Sequence, residues 1–246
     1  GGPPLLTSTV HKLDLLSRLG IEGCVVMPFT RRIARLQPGQ FVDRLKTCTP
    51  PLAEITVGRN WRFGRGGLGT PVLLARLCRD IGIRVRIVRP VRKAGGAVSS
   101  TRVRHEIMRG NLGVAESLLG RPFGVLGTVI HGRGVGRRIG FPTANLDPHG
   151  EVLPPYGVYA VQARLGRRLR RGVLSIGVRP TFRCRGTAKP SFELHLPGLH
   201  RNLYGTKIEV IFSRKLRNER RFLSVEALKR QIAKDITEAR RSDANE

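Results

Sequence analysis

The segment Gly136-Arg-Arg-Ile-Gly-Phe-Pro-Thr-Ala-Asn-Leu146 is the most informative part of this chain. Its glycines let backbone N–H groups approach phosphate oxygens closely, and two arginines add positive charge. Pro142 fixes the backbone, so that Thr143 and Asn145 project from a defined position. Oxygen atoms two residues apart suit a hard cation such as Mg²⁺. The segment therefore indicates a site for nucleotide phosphates and magnesium, although a polar turn that binds only its own backbone would have the same residues.

The residues around this segment have the pattern of an antiparallel β-structure. Short apolar or alternating runs between turn-rich loops predict strands at 124–130, 157–163, 172–177, 191–196 and 206–212. Such spacing is typical of a small barrel. A final helix follows, with Ser224 as its N-cap. Its apolar residues Leu228, Ile232 and Ile236 fall four apart, which predicts one face packed on the barrel.

The first half of the chain alternates helices with strands. The patterns predict helices at 8–20, 38–45, 71–81 and 102–119, and strands at 24–29, 55–58 and 84–88. Strands that are separated by helices form a parallel sheet, so this half is expected to be an α/β module. We place the boundary near Gly120, with one domain at 1–119 and the second at 120–246.

The composition limits the class of protein. A net charge of +28 favours anionic partners, but the excess is spread along the chain and aromatic residues make up only 5% of it. No apolar run reaches the length of a membrane span, and the N-terminal residues lack a signal-peptide pattern. The cysteines are too widely spaced for a zinc site or a disulfide framework, at Cys24, Cys48, Cys78 and Cys184. We expect a cytoplasmic protein with reduced cysteines and no membrane partner; a basic nucleic-acid-binding module is the alternative.

A family resemblance rests on several motifs that occur in one order. After Gly-Phe-Pro-Thr-Ala-Asn-Leu come Tyr-Gly-Val-Tyr-Ala (156–160), Ser-Ile-Gly-Val-Arg-Pro-Thr-Phe (175–182), Phe-Glu-Leu-His-Leu (192–196), Leu-Tyr-Gly (203–205) and Lys-Leu-Arg-Asn-Glu-Arg-Arg-Phe (215–222). In this order they resemble riboflavin kinase over residues 120–240. The resemblance implies a six-stranded antiparallel β-barrel with a C-terminal helix. It also implies transfer of the γ-phosphate of ATP to the 5′-hydroxyl of riboflavin, which gives FMN, with Mg²⁺ as cofactor.

The first half resembles the adenylyltransferase module of bacterial bifunctional riboflavin kinase/FAD synthetases. The motifs are Val-Gly-Arg-Asn-Trp-Arg-Phe-Gly at 57–64 and Val-Ser-Ser-Thr-Arg-Val-Arg at 98–104. The resemblance implies a Rossmann-like nucleotidyltransferase fold, but the 246 residues contain no His-x-Gly-His, with which the family's module begins. We therefore expect a truncated module, and riboflavin phosphorylation rather than adenylyl transfer. The alternatives are a bifunctional enzyme whose opening residues precede Gly1, and an inactive flavin carrier.

The resemblance also assigns roles to individual residues. It makes Glu193 the base that accepts the proton of the 5′-hydroxyl; on the residues alone, an exposed carboxylate on a half-buried strand explains this position better. Thr143 and Asn145 would hold Mg²⁺ and the ATP phosphates. Further implied ATP contacts are Gly132, Arg137, Leu196, Gly198 and Tyr204, of which Tyr204 could instead be barrel core. The implied flavin contacts are Arg217, Arg220 and Phe222, and the residual adenylyltransferase site is Asn60, Ser99, Ser100, Thr101 and Arg104.

Overall fold

The computed structural model describes residues 2–48, 50–93, 95–132, 134–178, 190–199 and 201–241. Cys184 and the Arg-Pro-Thr-Phe part of the motif at 175–182 lie outside these ranges. The chain divides into two compact units, one formed by Gly1–Glu22 with Ser99–Glu246 and the other by Gly23–Val98. The domain boundary near residue 120 stays a prediction, because the division into compact units follows contacts and not family modules.

In chain order, the described helices are α1 (Thr9–Arg18), α2 (Arg31–Ala34), α3 (Pro38–Lys46), α4 (Pro71–Arg79), α5 (Ser100–Arg109), α6 (Leu112–Leu119), α7 (Val135–Arg138) and α8 (Val225–Arg241). The described strands are β1 (Glu54–Gly58), β2 (Arg84–Val88), β3 (Arg92–Lys93), β4 (Gly96–Ala97), β5 (Gly124–Ile130), β6 (Thr143–Asp147), β7 (Gly157–Leu165), β8 (Arg168–Val178), β9 (Pro190–His195) and β10 (Lys207–Arg217). Among the described residues, no helix combines the length and the apolar character needed to cross a bilayer.

The unit Gly23–Val98 is a small α/β module. Its strands β1 and β2 pair in parallel, from Glu54 opposite Arg84 to Gly58 opposite Val88. Helix α4 begins after Thr70, whose side chain accepts a hydrogen bond from the backbone N–H of Leu73 at 3.2 Å. This helix and the strands enclose one apolar core of Val42, Val57, Phe63, Leu74, Cys78 and Ile83. The predicted α/β character of this region is confirmed.

The predicted strand at 24–29 is wrong. The structure shows no regular element there, and Val25 and Phe29 are 89% and 85% exposed. A strand forms only where its backbone groups find partners, and an apolar run alone does not supply them. The parallel sheet has two strands in the described part of the chain, and this run pairs with neither of them.

The second half folds into a closed barrel of six strands in the order β10-β5-β6-β9-β8-β7. All neighbouring strands are antiparallel, so the predicted six-stranded antiparallel barrel is confirmed. Tyr159, Leu174 and Leu194 are fully or almost fully buried, as expected for side chains that fill the interior of a small barrel. The sixth strand, β6, contains Thr143 and Asn145, so these residues lie in a strand and not in the alternative polar turn.

Helix α8 covers part of the outer face of the barrel. Ser224 caps it, accepting a hydrogen bond from the backbone N–H of Ala227 at 3.1 Å. Ile236 and Ala239 pack against Val158, Ala160 and Val173 on strands β7 and β8. The predicted apolar face of this helix therefore does contact the barrel.

A buried network of charges fixes helix α1 against the barrel. His11 is fully buried, with Nδ1 3.0 Å from Oε2 of Glu151 and Nε2 3.4 Å from Oε1 of Glu209. Arg18 and Arg164 also donate to Glu209. Burial disfavours the charged imidazole, but the two carboxylates outweigh it and raise the pKa of His11 to about 9. Burial likewise opposes ionisation of Glu209, yet hydrogen bonds from His11 and the arginines lower its pKa to about 2.

Candidate active site

Two cavities lie around the segment that connects β5 to β6. The larger one, of about 720 Å³, is lined by Arg137, Pro142, Ala144, Leu194, Leu196 and Tyr204, among others. The smaller one, of about 270 Å³, is lined by Phe141, Ser175, Glu193, His195, Phe222 and Ile232, among others. Thr143 lines both cavities. The first residue of β6 therefore stands where the two spaces meet.

The register of β6 and β9 explains why the cavities are separate. Thr143 lies opposite His195, and Asn145 lies opposite Glu193. Residues that are directly opposed in an antiparallel pair project to the same face, and the residues between them project to the other face. Glu193 and His195 thus share the face that carries the smaller cavity. Ala144 and Leu194, on the other face, line the larger one.

Glu193 and Thr143 meet in space although they are 50 positions apart in the sequence. The hydroxyl of Thr143 donates a hydrogen bond to Oε2 of Glu193 over 3.4 Å. Glu193 is half-buried and also lies opposite Ser175 on β8. The carboxylate is therefore held at the inner end of the smaller cavity, beside the only residue that both cavities share in the described part of the chain.

Two glycines allow the connecting segment to pack closely against β6. A Cβ atom on Gly132 would lie 2.0 Å from Nδ2 of Asn145. On Gly136 it would lie 2.4 Å from the carbonyl oxygen of Phe141 and 3.0 Å from Oγ1 of Thr143. A larger residue would displace the side chain of Asn145 at the first position and the backbone of Phe141 at the second. The segment itself forms the short helix α7 rather than an open loop.

The oxygen atoms at the start of β6 suit a hard cation. Thr143 and Asn145 supply a hydroxyl and an amide on the same face of β6. The described residues contain no group of three His, Cys, Asp or Glu side chains that could enclose a metal ion. A cation held by these two oxygen atoms would complete its coordination with substrate phosphates and water. Mg²⁺ commonly binds in this way.

The larger cavity is lined by an aromatic ring and by positively charged side chains. Tyr204 is 51% exposed, so it is not barrel core. Its ring stacks on His131, with centroids 4.0 Å apart. Arg137 is exposed on α7, and Leu196 is buried beneath the opening. Gly198 lies in the turn after β9 with φ +72°, a conformation that favours glycine.

The smaller cavity has an apolar end formed by Phe222, Leu228 and Ile232. The guanidinium of Arg220 lies 5.0 Å from the centroid of the Phe222 ring. Arg217 also lines the cavity, but its guanidinium donates to both oxygens of the buried Asp235, with a shortest distance of 2.8 Å. The structure therefore shows Arg217 in an ion pair with Asp235, and its implied contact with the flavin stays a prediction.

The residues expected from the adenylyltransferase resemblance are placed within each unit as follows. Ser99 caps α5 and accepts a hydrogen bond from the backbone N–H of Arg102 at 3.3 Å. Ser100 and Thr101 form the first turn of that helix. Nε of Arg104 donates to the carbonyl oxygen of Pro4 at 2.7 Å. Asn60 is exposed in the turn after β1, within the unit Gly23–Val98.

Two histidines belong to the site although the sequence patterns did not single them out. His195 lies two residues after Glu193, and the period of two in a strand could have placed it on the same face. His131 follows the end of β5, and no spacing indicated its stacking on Tyr204.

The closed barrel brings a carboxylate and a hydroxyl together where two cavities meet, an arrangement that suits the transfer of a phosphoryl group between two bound substrates. A family model described as riboflavin kinase matches residues 119–242, and one described as FAD synthetase matches residues 2–102. The bifunctional riboflavin kinase/FMN adenylyltransferase of Escherichia coli (strain K12) is 38% identical over 239 residues, which cover 97% of this chain and 75% of that protein. The Bacillus subtilis (strain 168) protein of the same name is 32% identical over 98% of this chain and 76% of its own length.

The solved structure of a macrolide-efflux protein from Streptococcus pneumoniae shares the fold, with a TM-score of 0.78 and 30% identity over 96% of this chain and 75% of that one. The chain belongs to the family of bifunctional riboflavin kinase/FMN adenylyltransferases. The predicted resemblance, fold class and kinase function are thereby confirmed.

Proposed function

We propose that this chain transfers the γ-phosphate of ATP to the 5′-hydroxyl of riboflavin, at the junction of the two cavities. The observation that supports this most strongly is the position of Thr143, which lines both cavities and contacts Glu193. Phosphoryl transfer depends chiefly on in-line placement of the two substrates and on stabilisation of the developing charge. The paired strands β6 and β9 separate the two cavities except at Thr143. A nucleotide in one cavity would therefore meet an alcohol in the other at this residue.

The larger cavity would hold ATP. Tyr204 and Leu196 offer an aromatic and an apolar surface for the adenine ring. The guanidinium of Arg137, which lines this cavity, would contact the phosphates. Gly132, which packs closely against Asn145, would leave room for them. Thr143 and Asn145 would hold Mg²⁺, which when bound neutralises phosphate charge. Because ATP is the phosphate donor, we place the reaction in the cytoplasm.

The smaller cavity would hold riboflavin. Its apolar end, at Phe222, Leu228 and Ile232, fits a planar flavin ring, and Arg220 lies over the face of Phe222. Its polar end contains Ser175 and Glu193, which suit a chain of hydroxyl groups. The ribityl chain would therefore extend from the helix α8 side toward Thr143. Arg217 would support the flavin site indirectly. Its guanidinium binds Asp235 and lies 5.6 Å from the centroid of the Phe222 ring.

Glu193 would act as the general base. The 5′-oxygen forms a bond to the γ-phosphorus while the bond to the ADP leaving group breaks, and the hydroxyl proton passes to the carboxylate of Glu193. The hydrogen bond from Thr143 keeps this carboxylate turned toward the junction of the two cavities.

A product assay tests this function. The chain is incubated with riboflavin, ATP and Mg²⁺, and chromatography separates FMN from FAD. We expect FMN as the accumulated product. The match of a FAD synthetase model to residues 2–102 makes FAD the specific alternative. Conversion of added FMN to FAD by this chain would favour the bifunctional activity, and the absence of both products would contradict the proposal.

A further inference from the structure

His195 carries an unused hydrogen-bonding atom beside the proposed reaction centre. It lies on β9 two residues after Glu193, opposite Thr143 on β6 and opposite Val173 on β8. Its side chain lines the smaller cavity, together with those of Glu193 and Ser175. The inference below rests on the proposed function, because it concerns the alcohol that this cavity would bind.

A hydrogen bond to Pro142 fixes one side of the His195 ring. Nδ1 of His195 lies 2.8 Å from the carbonyl oxygen of Pro142. A carbonyl oxygen only accepts hydrogen bonds, so Nδ1 must carry the proton and donate it. In the neutral imidazole, Nε2 is then left with its lone pair and can only accept. The ring of Phe141 contacts the imidazole edge-on, with centroids 5.9 Å apart at 71°, which limits rotation of the ring.

Nε2 of His195 reaches open space. His195 is 8% exposed, and the structure gives its Nε2 no partner among the described residues. Among those residues, no fully buried side-chain nitrogen or oxygen lacks a hydrogen-bond partner. Nε2 therefore cannot be sealed inside the protein. Because the space that His195 lines is the smaller cavity, the accepting atom would face a ligand bound there.

Apart from Ser175 and Glu219, the other polar groups that line this cavity already have a partner or an assigned role. Glu193 is assigned to the reacting hydroxyl, and Arg217 is bound to Asp235. Arg220 lies over Phe222 and donates to Gln231. We propose that Nε2 of His195 accepts a hydrogen bond from a secondary hydroxyl of the ribityl chain and thereby makes His195 a specificity-determining residue for polyol alcohols.

Two conservative variants separate this role from the contact with Pro142. In His195→Asn, the amide nitrogen replaces Nδ1, so the donor to Pro142 is retained and the acceptor in the cavity is lost. In His195→Gln, the longer side chain restores an acceptor near the position of Nε2, but the donor to Pro142 is lost. We expect His195→Asn to lower kcat/KM for riboflavin by about 5- to 10-fold, the effect of one lost neutral hydrogen bond, with KM for ATP unchanged. His195→Gln should retain more of the riboflavin specificity than His195→Asn.

Riboflavin analogues that each lack one secondary hydroxyl provide the decisive readout. In the wild-type chain, one of the 2′-, 3′- and 4′-deoxy compounds should be phosphorylated about 5- to 10-fold less efficiently than riboflavin. In His195→Asn this penalty should disappear, because the partner atom has already been removed. A purely structural role for His195 would leave the penalty in place.

The outcomes distinguish this inference from the proposed function. If the wild-type chain forms no FMN from riboflavin, the proposed function itself fails. If FMN forms, but His195→Asn keeps wild-type kcat/KM and the deoxy penalty persists, only the role of His195 fails. Thermal unfolding of both variants at the wild-type temperature would show that each change acts in the site and not on the fold.

Discussion

The two cavities that meet at Thr143 are built in different ways. The larger one is lined by β5, β6, the end of β9 and the loop that follows it, and much of its polar surface comes from loop residues. The smaller one lies between the outer face of the barrel and helix α8, so that residues from Val135 to Asp235 surround it. Only Thr143 belongs to both among the described residues. Substitutions in one cavity should therefore change KM for one substrate. Changes at Thr143 or Glu193, where the cavities meet, should change kcat.

The largest effect on catalysis is expected where the two cavities meet, at Glu193 beside Thr143. Glu193→Gln keeps the size of the side chain but removes the proton acceptor, so kcat should fall by at least about 10²-fold, the usual scale for a general base. The KM values for ATP and riboflavin should change little. Steady-state kinetics with each substrate varied in turn measures this. Glu226→Gln, at an exposed carboxylate in the first turn of α8, is the matched control; wild-type kcat in Glu193→Gln would remove Glu193 from its role.

A substitution in the smaller cavity should affect riboflavin alone. Phe222→Ala removes the ring that lies beside the guanidinium groups of Arg217 and Arg220. Because an aromatic contact contributes about 1 kcal/mol beyond its buried area, we expect KM for riboflavin to rise about 10-fold. KM for ATP should remain within about twofold of the wild-type value. Phe222→Tyr, which keeps the ring, is the control. An equal rise in both KM values would mean that the cavities are not separate binding sites.

The reciprocal substitution should have a smaller effect on ATP. Tyr204→Ala removes the half-exposed ring that stacks on His131. Since part of this surface stays in contact with solvent, KM for ATP should rise only about 3- to 5-fold, with KM for riboflavin unchanged. Tyr204→Phe should behave as the wild-type chain. A change in riboflavin affinity instead would place the flavin, and not the nucleotide, in the larger cavity.

The smallest kinetic effect is expected from the buried network at His11, which lines neither of these cavities. His11→Ala should lower the free energy of unfolding by about 3 kcal/mol, because it leaves Glu151 without its charged partner. The two KM values measured below the unfolding temperature should not change. Thermal unfolding, compared with His11→Gln as the less disruptive variant, measures the difference. A changed KM for one substrate would connect this network to the site.

The same network predicts how stability depends on pH. The pKa of His11 is raised to about 9 from an ordinary value of 6.5, so its contribution is complete below pH 6.5 and is lost as the pH rises through 9. The pKa of Glu209 is lowered to about 2 from 4.5, so its contribution is complete above pH 4.5 and is lost as the pH falls through 2. Denaturant unfolding of the wild-type chain and His11→Gln should therefore differ most between pH 4.5 and 6.5 and converge above pH 9.

The sequence predicted the barrel well because alternation with a period of two is a local signal. It failed where the outcome depends on distant partners. The apolar run at 24–29 matched a buried strand, yet it pairs with no strand in the described residues. His11 finds its carboxylate partners 140 and 198 positions away, and no local pattern reveals such a contact. The ion pair between Arg217 and Asp235 on helix α8 is a further contact that no local pattern revealed.

The candidate site shows the same difference between local signals and contacts that depend on distant parts of the chain. The family resemblance selected Thr143, Asn145 and Glu193 by motif order, and the register of β6 and β9 places the three on one face of the paired strands. Their roles stay predictions. Motif order could not show that Thr143 separates two spaces, because the smaller cavity exists only when helix α8 packs on the outer face of the barrel.

The central claim is that ATP and riboflavin bind in separate cavities that meet at Thr143. A structure of the chain with riboflavin, Mg²⁺ and a non-hydrolysable ATP analogue tests it most directly. We expect the flavin ring beside Phe222, the nucleotide in the cavity with Tyr204, and the 5′-oxygen about 3 to 3.5 Å from the γ-phosphorus next to Thr143. A carboxylate oxygen of Glu193 should lie within hydrogen-bonding distance of that 5′-oxygen. Both ligands on the same side of β6 and β9, or a 5′-oxygen out of reach of Glu193, would contradict the account.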